Sequence, residues 1–302
     1  MPSNTGVLPT WPELCDGLAA HCAGTPHGPV LLPYLDPRAR RLRRPVPAAL
    51  RAVARALPAG ADLRRVVSAS DADLSAFLVD QICRNAGDTD EDREGSAGLM
   101  FRRHNQLPCT AATLRGRIQA VRSRVGPESP VLIVGDDDLQ SLALAADGFS
   151  DITVVEIDEA VTREIAGSAQ AHAGAITVIR EDIGRIGALG RSFAAILMDP
   201  PVNLEGARAF LDGAVRAAGP GETTLFLNTH LLSYGEAGYA ELIEMLGRHG
   251  FRALELRRAF SRYAIPRLPR AAVNGLLRIV EPRISARVRF FISDLVVLRR
   301  DA

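Results

Sequence analysis

Val131-Leu132-Ile133-Val134-Gly135-Asp136-Asp137-Asp138-Leu139 is the stretch on which the reading of this chain turns. Its four apolar residues make a strand too short and too uniformly hydrophobic to keep a wet face, so both faces must be covered. The glycine ends the strand, and Ser141-Leu142-Ala143-Leu144 carries the chain into a helix. The same unit then recurs. Ile152–Ile157, Ile176–Ile179, Phe193–Met198 and Thr223–Leu227 are further short apolar runs, with helical spacing in Ala160–Ala171 and Leu204–Ala218. Short strands alternating with helices predict an α/β fold with a parallel, Rossmann-type sheet between two helical layers. Before the first strand, Thr110 predicts the cap of a helix running to Val125, stopped by Gly126-Pro127.

Outward from this core the pattern changes at both ends. Val288–Leu298 holds two β-rich runs on either side of Ser293-Asp294. It is expected to give two late strands, one antiparallel, the usual close of class I S-adenosylmethionine-dependent methyltransferase-like domains. Residues 1–100 show helical patterns at Pro47–Leu57 and Ala72–Cys83 between Pro/Gly-rich breaks, with an acidic loop at Asp88–Ser96. The division expected is a smaller, mainly helical N-terminal domain over 1–100 and a catalytic domain over 101–302.

The chain has 302 residues, 47% hydrophobic and 24% charged, with a formal net charge of +1. That balance gives no electrostatic reason to expect a nucleic acid or a membrane as partner. Cys15, Cys22, Cys83 and Cys109 are scattered and form no C-x-x-C pair, so they read as small buried hydrophobes. There is no signal-peptide pattern at the start and no apolar stretch of membrane length. The expectation is a reduced, cytoplasmic protein; a homodimer is compatible with the sequence but not required by it.

In an open parallel sheet, ligands bind beyond the carboxyl ends of the strands where the strand order reverses. Those ends carry Gly135 with Asp136, Asp137 and Asp138, then Glu156 and Asp158, then Glu181 and Asp182, then Asp199-Pro200-Pro201, then Asn228-Thr229-His230. Four successive acidic ends describe an electronegative pocket, suited to a cation or to many hydroxyl and amine donors. Glu156, about 20 residues past the glycine turn, is placed to accept both hydroxyls of a ribose. Asp182 stands where such folds hold an adenine amino group. A pyrophosphate-binding turn would read G-x-G-x-x-G; three aspartates after one glycine would repel phosphate and attract a sulfonium or an ammonium. Each of these acids could instead be a helix-start charge, which the helix dipole favours. Asp199-Pro200-Pro201-Val202 is similar to the D-P-P-Y motif of amino-group methyltransferases, but Val202 lacks the aromatic that stacks on a base. His230 and Tyr263 are candidates for the acceptor's wall, with Tyr234 and Tyr239; packing roles are equally open to them. No H-E-x-x-H or Cys/His spacing suggests a metal.

At these residues the chain resembles the branched-chain polyamine synthases, the bis(aminopropyl)spermidine synthase family. The likeness lies in Val134–Leu139 running into Ser141–Leu144, in Val155-Glu156-Ile157-Asp158, and in Met198-Asp199-Pro200-Pro201 with Gly206 and Phe210. It extends to Asn105-Gln106, Thr110 and Arg115 upstream, and to Thr229-His230 and Phe260-Ser261-Arg262-Tyr263 downstream, covering roughly residues 100 to 300. The resemblance implies a Rossmann-type catalytic domain behind a winged-helix-like N-terminal domain. It implies transfer of an aminopropyl group from decarboxylated S-adenosylmethionine to an amine of a polyamine, releasing methylthioadenosine. Asp137 would engage and deprotonate the attacking amine, with Asp199 beside it. Gly135, Asp136, Glu156, Asp158 and Asp182 are the residues expected at the nucleoside, and Asp138, Pro200, Pro201, His230 and Tyr263 at the acceptor. The alternatives are transfer or cyclisation of a 3-amino-3-carboxypropyl group from intact S-adenosylmethionine, methyl transfer, and a nucleoside-binding protein without turnover.

Overall fold

A computed structural model describes residues 7–36, 71–86, 109–169, 174–265, 270–271, 274–275, 277–278, 281–283 and 287–302. Thr10 caps helix α1 (Trp11–Ala23) in a reciprocal capping box with Glu13, and α2 is Gly28–Leu35. Helix α3 spans Asp71–Ala86, which contains the helix expected at Ala72–Cys83. Helix α4 (Ala111–Arg122) begins where Thr110 accepts the Thr113 amide, and ends three residues short of Val125. Pro47–Leu57, Asp88–Ser96, Asn105 and Gln106 lie outside the described residues. Among the described residues of the first hundred there are helices and no strand.

The sheet begins with β1 (Val131–Val134), followed by α5 (Gln140–Ala146), β2 (Ile152–Glu156), α6 (Glu159–Ala169) and β3 (Ile176–Arg180). Then come β4 (Ala195–Met198), α7 (Leu204–Ala218), β5 (Thr223–Thr229), a 3₁₀ turn (Leu231–Tyr234) and α8 (Gly235–Arg248). Two long strands finish it, β6 (Phe251–Ala264) and β7 (Phe290–Arg300). The order is β3-β2-β1-β4-β5-β7-β6, with β7 antiparallel to both its neighbours and the rest parallel. This is a class I methyltransferase-like, Rossmann-type fold, with a helical N-terminal segment added.

The ending differs from the expectation. Val288–Leu298 contributes one strand rather than two, and its partner is β6, forty residues upstream in the chain. Ser293-Asp294 does not break β7 because both residues are buried and paired, Ser293 opposite Ser261 and Asp294 opposite Thr229.

Two apolar clusters lie on opposite faces of the sheet. One holds α4, α5 and α6 through Ile118, Leu144 and Ile165. The other holds α7 and α8 through Leu211 and Leu242, and continues without a gap into Leu18, Leu31 and Val79 of the N-terminal helices. The N-terminal helices therefore share a core with the sheet. Between β1 and β4 the order reverses, and the crevice above their carboxyl ends is where the site must be sought.

Candidate active site

The turn after β1 is shaped from below. Gly135 has φ 71, in the region that favours glycine, and the Phe210 ring packs against it, 3.5 Å from where a Cβ would stand. Four residues on, Leu139 is also left-handed at φ 54, so the three aspartates occupy a tight, reversed stretch. Across the crevice, Pro201 packs on the first turn of α7, where a Cβ on Gly206 would lie 2.8 Å from the proline ring. Asn203 caps that helix by accepting the Gly206 amide at 2.8 Å. The rigid Asp199-Pro200-Pro201 segment is thereby fixed against α7.

The carboxylates around the crevice have separate tasks. Asp136 is fully buried and accepts the amides of Gln140 at 2.6 Å and Ser141 at 3.2 Å, capping α5. Asp158 accepts the Ala160 amide at 2.7 Å at the start of α6, and Asp182 accepts that of Gly184 at 2.8 Å. These three acids serve the local backbone. Glu156 is buried at the end of β2, and its two oxygens accept the amides of Asp136 at 2.8 Å and Asp158 at 2.7 Å. It thus clamps the turns after β1 and β2 together, with each oxygen retaining a lone pair. The next residue, Ile157, stands 46% exposed, an unusual position for a large apolar side chain among the described residues.

Sequence reasoning missed the residue at the centre. Arg117 of α4 is buried and joins both sides of the crevice. Its guanidinium donates to Asp138 Oδ2 at 2.6 Å, to Asp199 Oδ2 at 2.8 Å, to Ser261 Oγ at 3.2 Å and to the Tyr263 hydroxyl. Tyr263 in turn donates to Asp199 Oδ2, and Ser261 donates to Asn228 Oδ1 at 2.8 Å. The second oxygen of Asp138 accepts the Cys109 amide at 2.5 Å. Asp138 and Tyr263 are therefore held by protein partners, while Asp199 keeps Oδ1 and a side chain 22% exposed. Asp137 differs from all of these: among the described residues it makes no hydrogen bond, and it is only half-buried.

Electrostatics separate the two remaining carboxylates. Burial, then the charges of Asp138, Asp199 and Glu156, push the Asp137 carboxyl well above the usual range, with Arg117 opposing. Asp199 is also raised by burial, but Arg117 and Tyr263 hold it back. Asp137 is accordingly the more basic group. Burial likewise pushes Asp136 up to about 7. A carboxyl raised above its unfolded value favours the folded state at low pH, and that contribution is lost as pH rises from about 4 toward 7. Asp136→Asn keeps the acceptor for the Gln140 amide and removes the charge. Its melting temperature relative to the parent should therefore be higher at pH 8 than at pH 5; a difference independent of pH would show that Asp136 titrates elsewhere.

His230, expected near the acceptor, is fully buried against α3, where Asp80 Oδ2 accepts from its Nε2 at 2.7 Å. Phe77 packs edge-on against the imidazole at 4.7 Å. Burial lowers its pKa, so it is a neutral tie between β5 and the N-terminal helix rather than a wall of the crevice. Tyr239 donates to the Pro9 carbonyl, and Tyr234 is buried and bonded to Thr229 at the end of β5.

The sequence model for the C-terminal domain of branched-chain polyamine synthase A matches residues 101–270. Among solved structures, the chain is similar to the branched-chain polyamine synthase from Thermus thermophilus in complex with N4-aminopropylspermidine and 5'-methylthioadenosine. The TM-score is 0.56 at 20% identity, covering 70% of this chain and 62% of that one. A mutein of the same Thermus enzyme gives 0.54 at 21% identity, covering 74% and 64%. An uncharacterized protein of Methanocaldococcus jannaschii is 35% identical over 92 residues, 30% of this chain and 24% of that one. The chain thus spans less than two thirds of the length of each of these relatives.

Proposed function

Since this chain belongs to the branched-chain polyamine synthase family through residues 101–270, we propose that it transfers an aminopropyl group from decarboxylated S-adenosylmethionine to an amine of a polyamine. One observation carries this reading. Asp137 is a raised-pKa carboxylate without a hydrogen-bonding partner among the described residues, placed at the point where the strand order reverses. We assign residues 101–302 to the catalytic unit, with 1–100 as a helical unit docked on it, working in the cytoplasm. Cys15, Cys22, Cys83 and Cys109 form no disulfide with one another, which suits a reducing compartment.

The chemistry needs little machinery. The amine nitrogen attacks the propyl carbon beside the sulfonium; the carbon–sulfur bond breaks with its electrons going to sulfur, and methylthioadenosine leaves. Alignment of nitrogen, carbon and sulfur supplies much of the rate. A free amine has a pKa near 10, so only about one molecule in a thousand is unprotonated at neutral pH. Asp137 takes the ammonium proton and Asp199 orients the cation through Oδ1, its other oxygen being fixed by Arg117 and Tyr263. Glu156 accepts the ribose hydroxyls on its remaining lone pairs, and Ile157 offers an apolar face beside them.

The charges favour the donor that has lost its carboxylate. Arg117 is committed to Asp138 and Asp199, and Arg262 alternates to the opposite face of β6 from Ser261 and Tyr263. Calorimetry should find decarboxylated S-adenosylmethionine bound more tightly than the intact compound. The reverse order would transfer the proposal to 3-amino-3-carboxypropyl chemistry. Glu156→Ala should weaken methylthioadenosine binding tenfold or more, the value of hydrogen bonds to a charged acceptor at about 1.5–3 kcal/mol. Unchanged affinity would remove Glu156 from the nucleoside.

A further inference from the structure

Helix α3 lies outside the stretch that matches the family, yet its side chains reach the strands that build the crevice. Pairing of β5 with β7 stops at Thr229 and Asp294, leaving the first residues of β7 with β6 on one side only. Two α3 side chains one turn apart supply the missing ladder. Gln81 donates to the Ile292 carbonyl at 2.8 Å and accepts its amide at 2.9 Å. Asn85 donates to the Phe290 carbonyl at 3.0 Å and accepts its amide at 3.0 Å. An open strand edge is thereby closed by amide side chains that copy backbone geometry.

Between them Arg84 spans two buried acids. It lies 2.6 Å from Asp80 Oδ2 and donates to Asp294 Oδ1 at 2.8 Å. Asp294 Oδ1 also accepts the backbone amide of Ala259 at 2.9 Å. Arg258 approaches the same oxygen at 3.4 Å and Asp80 at 3.6 Å. Ala259 is left-handed at φ 52, inside the bulge where the β6–β7 register shifts between Arg257 and Ser261. An alanine adopts that conformation reluctantly, so something must hold it. Directly beyond the bulge come Ser261 and Tyr263, the two β6 side chains bonded to Arg117.

We propose that Arg84 is a positioning residue for the transfer: through Asp294 it holds the Ala259 bulge, which aims Tyr263 and Ser261 at Arg117 and Asp199. This rests on the reading of the crevice as the alkylation site. Bulges beside active sites re-aim side chains, and a displacement of about 1 Å can cost on the order of a hundredfold in rate.

The test uses the full chain labelled with 3-fluorotyrosine, the Tyr263 resonance being assigned by its loss in Tyr263→Phe. Arg84→Met should move that resonance and lower kcat about ten- to a hundredfold, with methylthioadenosine affinity unchanged because Glu156 is remote from the bulge. Adding Ala259→Gly should move both back toward the parent, because glycine holds φ 52 without a clamp. If Arg84→Met does not fold, Arg84→Lys, which keeps the charge but cannot span both acids, takes its place. A lowered melting temperature with the Tyr263 resonance unmoved would overturn the proposal. So would a shifted resonance that Ala259→Gly does not restore. A parent chain that releases no methylthioadenosine would sink the reaction assigned to the crevice, while the fluorine shift would still decide the role of Arg84.

Discussion

Asp137→Asn is expected to fold, to bind methylthioadenosine as the parent protein does, and to turn over about 10² to 10⁴ times more slowly. Asparagine keeps the shape of the turn between Gly135 and Leu139, and no hydrogen bond among the described residues is lost with the carboxylate. What is lost is the proton acceptor. With Asp137 raised by burial and by Asp138, Asp199 and Glu156, the empty pocket holds a proton at low pH, and binding of a cationic amine displaces it. The parent's rate should therefore rise with pH through the carboxyl's raised pKa. In the variant that limb disappears, and the rate should climb only as the amine itself deprotonates toward pH 10. Steady-state rates from pH 6 to 10 check this. A near-normal rate at neutral pH would make Asp137 a helix-start charge, and an equal defect at every pH would leave it a positioning group with Asp199 as the base.

Arg117→Met should have the largest effect on stability. The guanidinium is 2% exposed and neutralises Asp138, itself 1% exposed, together with Asp199. Removing one partner of a buried pair leaves a charge without compensation, a loss of about 3–5 kcal/mol. In a chain of this size that lowers the melting temperature by on the order of 10 °C. Arg117→Lys should recover only part of it, because one ammonium cannot reach both carboxylates and the Ser261 hydroxyl in the geometry of a planar fork. The transfer rate should fall in both variants, since Asp199 and Tyr263 lose their common anchor. A melting temperature within 2 °C or so of the parent would contradict the ion-pair reading.

The central sheet was legible because parallel strands with helices on both faces have nowhere to put a polar residue. Val131–Val134 coincides with its strand for that reason, and Leu204–Ala218 with its helix because its apolar residues recur at helical spacing. The last two strands were not legible. Strand β6 reads Phe251-Arg252-Ala253-Leu254-Glu255-Leu256-Arg257-Arg258, half-exposed and charged as an edge strand is, and its bulge breaks the two-residue alternation. Strand β7 was split at Asp294 because a buried aspartate is improbable until its partners, Arg84 and the Ala259 amide, are known. The acidic rim was legible as a rim but not as a division of labour, because a capping aspartate and a ligand-facing one look alike in one dimension. Asp136 and Asp158 cap helices and Asp182 closes a turn, whereas Asp137 does neither. Arg117 was invisible for a related reason. Arg115, Arg117 and Arg122 are interchangeable on a helix until Ser261 and Tyr263, two apart on β6, are seen to face one of them.

The most direct test of the account is a mass spectrum of the products formed when the purified chain is given spermidine with decarboxylated S-adenosylmethionine, and separately with the intact compound. The account predicts methylthioadenosine and an aminopropylated amine from the decarboxylated donor, in amounts that fall with Asp137→Asn. S-adenosylhomocysteine with a methylated amine from the intact donor, and no methylthioadenosine from the other, would contradict it.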